Sequence, residues 1–256
     1  MEFLEKNYFN TTTQYVVNSN TLSADNLLIK DPAFQYVSSG FNNDATTTTI
    51  TINFDATSSV SRLALQGFNG KKFNLYYNGA TANAFSLTTT AATTTSQWTN
   101  NSETAMFIKA TSVNCTSVSL DIYSTQSANS EKAIGYFYMG DTKVTFDRIP
   151  TAKNYKPKKQ PKEVAHKLSD GGVRLHIIDT KFNTKIKFKY ITESFRDSLE
   201  TVWALKDSFF FVAFETTTSW DEIFYEVVWS GPFDFYQWSE DSKTANFSGS
   251  ITLNEV

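Results

Sequence analysis

One cysteine, two histidines and five prolines in 256 residues are scarcities that each exclude something. Cys115 alone cannot form an internal disulfide, so the chain is not a stapled secreted scaffold, and the compartment expected for its assembly is a reducing cytoplasm. His166 and His176 are isolated, and no Cys-x-x-Cys or His-x-x-x-His spacing occurs, so no zinc site is expected. Charged residues make up only 19% and the net charge is -3, which lacks the basic excess of a nucleic-acid binder. No apolar run is long enough to cross a bilayer, and the opening Met1-Glu2-Phe3-Leu4-Glu5-Lys6 lacks the apolar segment of a signal peptide. Membrane insertion and secretion are therefore not expected. A Gly-x-Ser-x-Gly elbow, a phosphate-cradling loop and a dinucleotide fingerprint are also missing.

What is present favours strands. Aromatic residues reach 15%, with 22 Phe and 12 Tyr, and the polar complement is largely Thr, Ser and Asn. β-branched and aromatic side chains fit a pleated, half-buried surface, so the fold class expected is all-β. In the first half, Ile50, Ile52 and Phe54 alternate with Thr49, Thr51 and Asn53, and Val118, Leu120 and Ile122 alternate with Ser119, Asp121 and Tyr123. Val60–Leu65 and Phe73–Tyr77 flank Gly67-Phe68-Asn69-Gly70, where Asn-Gly is a turn signal. Ile134, Tyr136 and Tyr138 form another alternating run, and Val144 with Phe146 is read as closing this half. Thr88 to Thr95 reads as a loop or a polar edge strand. Many short strands with no helix between them predict a sandwich over residues 1–147.

Residues 148–170 carry Pro150, Pro157 and Pro161 with the run Lys156-Pro157-Lys158-Lys159-Gln160-Pro161-Lys162. Fixed backbone and like-charge repulsion predict a Pro/Lys-rich linker. Over 171–256 the expectation is a second β-sandwich carrying one helix. Val173–Ile178 is one strand; Phe182, Thr184, Ile186, Phe188 and Tyr190 face one way in the next, with Lys181, Asn183, Lys185, Lys187 and Lys189 opposite. Phe195, Leu199, Val202 and Trp203 then recur at helical spacing, predicting a helix over about 193–206. Thr192 or Ser194 caps it, Ser194 with Asp197 fits a capping box, and Lys206 falls at its C-terminal end. Four further strands follow, around Phe209–Phe214, Ile223–Trp229, Phe233–Trp238 and Phe247–Leu253.

Chemistry is sparse. A carboxylate pair for glycan hydrolysis has candidates in Asp221-Glu222, Glu226, Asp234 and Glu240-Asp241, but solvated strand ends account for them, and no enzyme is expected. Cys115 lies beside Val113 in a strand-like stretch and reads as a small buried hydrophobe. Asp25, Asp31 and Asp44 lie in entry loops, where they are either calcium ligands or ordinary turn residues. Trp98 stands in a polar stretch, as a sugar-stacking ring, a lid on the core or an interface residue. Trp220, Trp229 and Trp238 read as core or interface. Lys185, Lys187 and Lys189 form a lysine face that either protects a sheet edge or, in an assembly, lines a lumen or meets an acidic neighbour.

Two resemblances follow from the order of motifs. Ala24-Asp25-Asn26-Leu27-Leu28, Tyr36-Val37-Ser38-Ser39-Gly40, Thr48 to Phe54 and Val60 to Leu65, with Met106-Phe107-Ile108 and Val118 to Tyr123 later, resemble a discoidin-like, galactose-binding-type β-sandwich. That likeness implies a jelly roll over roughly residues 20–147, ligand contact through loops at one end and a structural calcium. The strand–helix–strand order of the second half, Tyr225 to Phe235 and Phe247 to Glu255 look like tail-tube and distal-tail domains of tailed phages. Together they imply a virion component of the tail tip, baseplate or tail decoration with a projecting contact module, made in the host cytoplasm. Its implied partners are other tail proteins, copies of itself and a host-surface glycan. The other reading is a free carbohydrate-binding, adhesive module.

Overall fold

The computed structural model describes residues 1–11, 14–18, 21–29, 34–38, 44–88, 95–147, 150, 153–167, 169, 172–213, 224–237 and 246–256. Its strands are β1 (Glu2–Leu4), β2 (Tyr15–Val17), β3 (Tyr36–Val37), β4 (Thr48–Gln66), β5 (Gly70–Tyr77), β6 (Gln97–Trp98), β7 (Ala105–Thr125) and β8 (Ala133–Ile134). They continue as β9 (Tyr136–Gly140), β10 (Thr142–Thr145), β11 (Tyr155–Lys167), β12 (Val173–Ile191), β13 (Phe209–Val212), β14 (Phe224–Ser230), β15 (Phe235–Gln237) and β16 (Phe247–Glu255). A 3-10 segment, Thr21–Leu28, and the helix α1, Glu193–Ala204, complete the described elements. The fold is all-β with one α-helix among the described residues.

The chain divides into two compact units, Glu5–Thr142 and a second made of Met1–Leu4, Lys143–Thr217 and Asp221–Val256. In the first, the sheet order is β2-β4-β7-β5-β6, with β9 also pairing β4, beside a two-stranded β3-β8 ladder. The 19-residue β4 and 21-residue β7 pair along most of their length. Irregularities between Asn53 and Ser58, and between Val60 and Arg62, break the register, and such bulges bend a strand pair. Both ends of each strand feed one core, from Ile50, Ile52 and Ile122 to Leu63, Leu65 and Ile108. The alternation of aliphatic and hydroxyl residues is what lets one face of β4 and β7 be dry and the other polar.

The Asn69-Gly70 turn does not close a hairpin, because β7 lies between β4 and β5. Asn69 instead ties distant chain together: its amide donates to the Glu131 carbonyl at 2.7 Å and its side-chain oxygen accepts from the Ala133 amide at 2.9 Å. Gly67, at φ +62, provides the left-handed backbone that ends β4.

In the second unit the strands are hydrogen-bonded in one eight-stranded sheet, β10-β1-β13-β14-β16-β12-β11, with β15 also on β16. Three expectations need correction here. Val144 and Phe146 do not close the first half; Phe146 packs edge-on against Phe3, Phe188 and Phe195 in the core of the second unit. The expected linker is largely a strand: β11 pairs with β12 from Tyr155↔Ile186 to Lys167↔Val173. Because β11 is the sheet's edge, Pro157 and Pro161 can sit in it without costing an interior ladder donor. The two separate strands expected within 173–190 are likewise one, β12, the long arm of this hairpin.

Helix α1 follows the sequence pattern closely. Thr192 is its N-cap, with the hydroxyl accepting from the Phe195 amide at 3.2 Å, and Phe195, Leu199 and Val202 are buried. Lys206 lies just past the end at φ +53, its ammonium over the Trp203 ring.

Candidate functional site

On the face of β4, β7 and β5 that points away from the core, register sets polar side chains in rows. Thr49 faces Asp121, which faces Asn74, which faces Gln97 on β6; Thr51, Ser119 and Tyr76 form the next row. On this face Asp121 is only 7% exposed and Ser119 1%. A carboxylate so far out of water needs donors. Thr49 supplies one at 2.6 Å, Tyr123 a longer one at 3.5 Å, and Asn74 in turn donates to the Tyr123 hydroxyl at 3.2 Å. Thr51 and Ser119 share a 3.0 Å hydroxyl contact in the adjoining row. Lys72 places its ammonium 5.3 Å from the centre of the Tyr123 ring.

Asp121 forms no ion pair among the described residues. Its charge acts on the phenols: burial, then Asp121, push Tyr76 up to about 12. Tyr123 is raised for the same two reasons. The face therefore offers a fixed carboxylate, an amide, several hydroxyls and two protonated phenols, a set able to donate to and accept from vicinal hydroxyl groups. Sequence reading recognised the alternation but not this cluster, since periodicity says which side a residue faces and not what the neighbouring strands bring beside it.

The residues singled out from sequence fall elsewhere. Trp98 is half-buried at the edge, its ring stacked on Phe73 at 4.5 Å and 10°, and Phe73 meets Phe68 edge-on. One face of the indole thus covers the core. The loops at that end of the unit are tied internally: the Asn101 amide donates to the carbonyls of Gly70 and Glu103, and the Gln126 amide also donates to Glu103.

Of the calcium candidates, Asp25 accepts from the Tyr15 hydroxyl at 2.5 Å. Asp44 accepts from the amides of Thr125 and Asn129, which are distant in sequence rather than part of its own turn, and its charge acts on Lys132. Lys132 is fully buried, donates to the Thr46 carbonyl at 2.6 Å, and has its pKa lowered by that burial. Asp31 lies outside the described residues. No group of three His, Cys, Asp or Glu is placed to hold a metal among the described residues. The donor set around Asp44 is occupied by backbone amides and neighboured by a cation, so it does not fit calcium.

Cys115 is 1% exposed, and burial pushes its thiol up to about 11, which suits a packed hydrophobe rather than a nucleophile. Glu226 accepts from Ser208 at 2.8 Å and Asp234 is exposed, while Asp221-Glu222, Glu240-Asp241, Trp220 and Trp238 lie outside the described residues. Trp229 packs on the second core. Lys185, Lys187 and Lys189 project from β12, which lies between β11 and β16 and is not an edge. Edge protection therefore does not explain them.

No family model matches this chain, and no curated protein does. Solved structures do. A selenomethionine-labelled variant of chitosan-binding module 1, from a chitosanase/glucanase of Paenibacillus sp. IK-5, is 12% identical at a TM-score of 0.41, covering 54% of this chain and 99% of the module. Chitosan-binding module 2 of the same enzyme, in complex with chitotriose, is 15% identical at 0.38, covering 50% and 95%. The family 32 carbohydrate-binding module of C. perfringens NanJ, in complex with galactose, is 11% identical at 0.39, covering 55% and 100%.

Proposed function

We propose that the Glu5–Thr142 unit is a non-catalytic carbohydrate-binding module whose contact surface is the sheet face around Asp121. The observation that carries this is the placement of a nearly buried carboxylate on the side of the sheet away from the core, held by Thr49 and neighboured by Tyr76, Tyr123 and Asn74. A sheet face with no ligand would more simply carry solvated Thr and Lys. Keeping Asp121 out of water is repaid when a ligand takes up its remaining lone pairs. Hydroxyl-rich sugars match that donor and acceptor set, and the Tyr123 ring gives an apolar face beside it.

The adhesive-module reading is thus preferred to the virion component. A place in a phage tail rests on the sequence resemblance alone, and no feature of the Asp121 face favours it. The test is a screen of the intact chain against immobilised neutral glycans, chitotriose and galactose among them. Saturable binding of at least one, weakened at least tenfold by Asn74→Ala, supports the assignment; a chain that binds none contradicts it.

A further inference from the structure

A second polar surface, in the other unit, carries charge of one sign. Between β11 and β12, the side chains of Lys153, Lys156, Lys158, Lys185, Lys187 and Lys189 line an open groove of about 430 Å³ with Asn154 and Asn183. That volume lies within the range of ligand sites. Lys156 and Lys185 are direct cross-strand partners, and Lys158 is paired with Asn183. Like charges facing one another across a ladder are unfavourable without a counter-charge. None of the six lysines is in an ion pair with a described residue, and no acidic side chain is among the groove's lining residues. Asp147 contributes to the neighbouring cleft, which shares Lys187 and Lys189. Edge protection accounts for lysines on β11 but not for those on β12.

From this we infer that the groove binds an acidic polysaccharide, with the lysines meeting carboxylate or sulfate groups. Along β12 the three lysines recur about every 6.7 Å, two strand residues apart, so they present charge in a line. On the next strand, Asn254, Thr252 and Ser250 stand opposite Asn183, Lys185 and Lys187 and extend the surface with amide and hydroxyl groups. A charged, hydroxyl-bearing chain uses both parts. The other polyanions fit less well. Nucleic-acid sites add aromatic or guanidinium planes for stacking, and the groove lining has neither. Protein interfaces are depleted in lysine at their centres and want an apolar core, which is also missing. This site is independent of the Asp121 face.

Retention of the intact chain on polygalacturonate and on heparin tests it, the first probing carboxylate and the second sulfate recognition. Binding to at least one is expected at low ionic strength, falling steeply as salt screens the charges. The variant Lys185→Glu/Lys187→Glu should bind at least tenfold more weakly while circular dichroism and Tm stay unchanged. The charge-matched variant Lys71→Glu/Lys206→Glu, outside the groove, should bind as the parent does. Failure to bind either polymer overturns the inference, as does equal weakening by both variants. Equally tight binding of an oligothymidylate would assign the groove to nucleic acid and overturn it too.

Discussion

Thr49 and Asp121 stand directly opposite each other on β4 and β7, and the Thr49 hydroxyl donates to the Asp121 carboxylate at 2.6 Å. Their Cβ atoms lie on the side of the sheet away from Ile50 and Ile122, so this bond is not part of the hydrophobic core. It fixes the carboxylate in one rotamer at the centre of the polar face, with Tyr76 and Tyr123 around it.

The first prediction concerns charge. Asp121→Asn keeps the shape and removes the anion that helps hold the neighbouring phenols protonated. Alkaline spectrophotometric titration should show the Tyr76 transition moving down from about 12. An unchanged titration would mean that burial alone sets it.

A second prediction follows from Cys115. Its folded value of about 11 lies above its ordinary 9.0, because burial disfavours the thiolate. The sign is that of a raised acid: the stabilisation is fully present below pH 9 and is lost as pH rises through about 11. Cys115→Ser should flatten that part of the stability profile in urea melts. The native thiol should also resist aromatic disulfide reagents near neutral pH until urea unfolds the unit.

Trp98→Ala should act mainly on stability. The ring stacks on Phe73, which is fully buried, but is itself half-exposed, so the loss should be about 2 kcal/mol, below the ~3–5 of a core aromatic. Urea denaturation measures it. A large loss of glycan binding with unchanged stability would instead place Trp98 in the contact surface.

In the second unit, Thr192→Ala removes the N-cap acceptor for the Phe195 amide and should cost about 1 kcal/mol. Leu199→Ala, at a fully buried position, should cost about 2–5 kcal/mol. Thermal melts of the two variants should fall in that order.

Much of the architecture was legible in the chain. The stripe Phe195, Leu199, Val202 located the helix, and alternation located segments of β4, β7 and β12, though not that the two runs in each form one continuous strand, because burial on one side imposes a period that local sequence records. Partner choice was not legible. The segment with Pro157 and Pro161 reads as a linker until its place at a sheet edge is known, and Phe146 joins whichever core its ring reaches. The same gap hid the Asp121 cluster: Thr49, Asn74 and Asp121 lie far apart in sequence and meet only through register.

The most direct test of the Asp121 face is calorimetric titration of the tightest-binding glycan from the screen into the parent chain and into Asp121→Asn, with both shown equally stable by urea denaturation. The account predicts binding at least tenfold weaker in the variant. Equal affinity in the two would contradict it and move the contact surface away from this sheet.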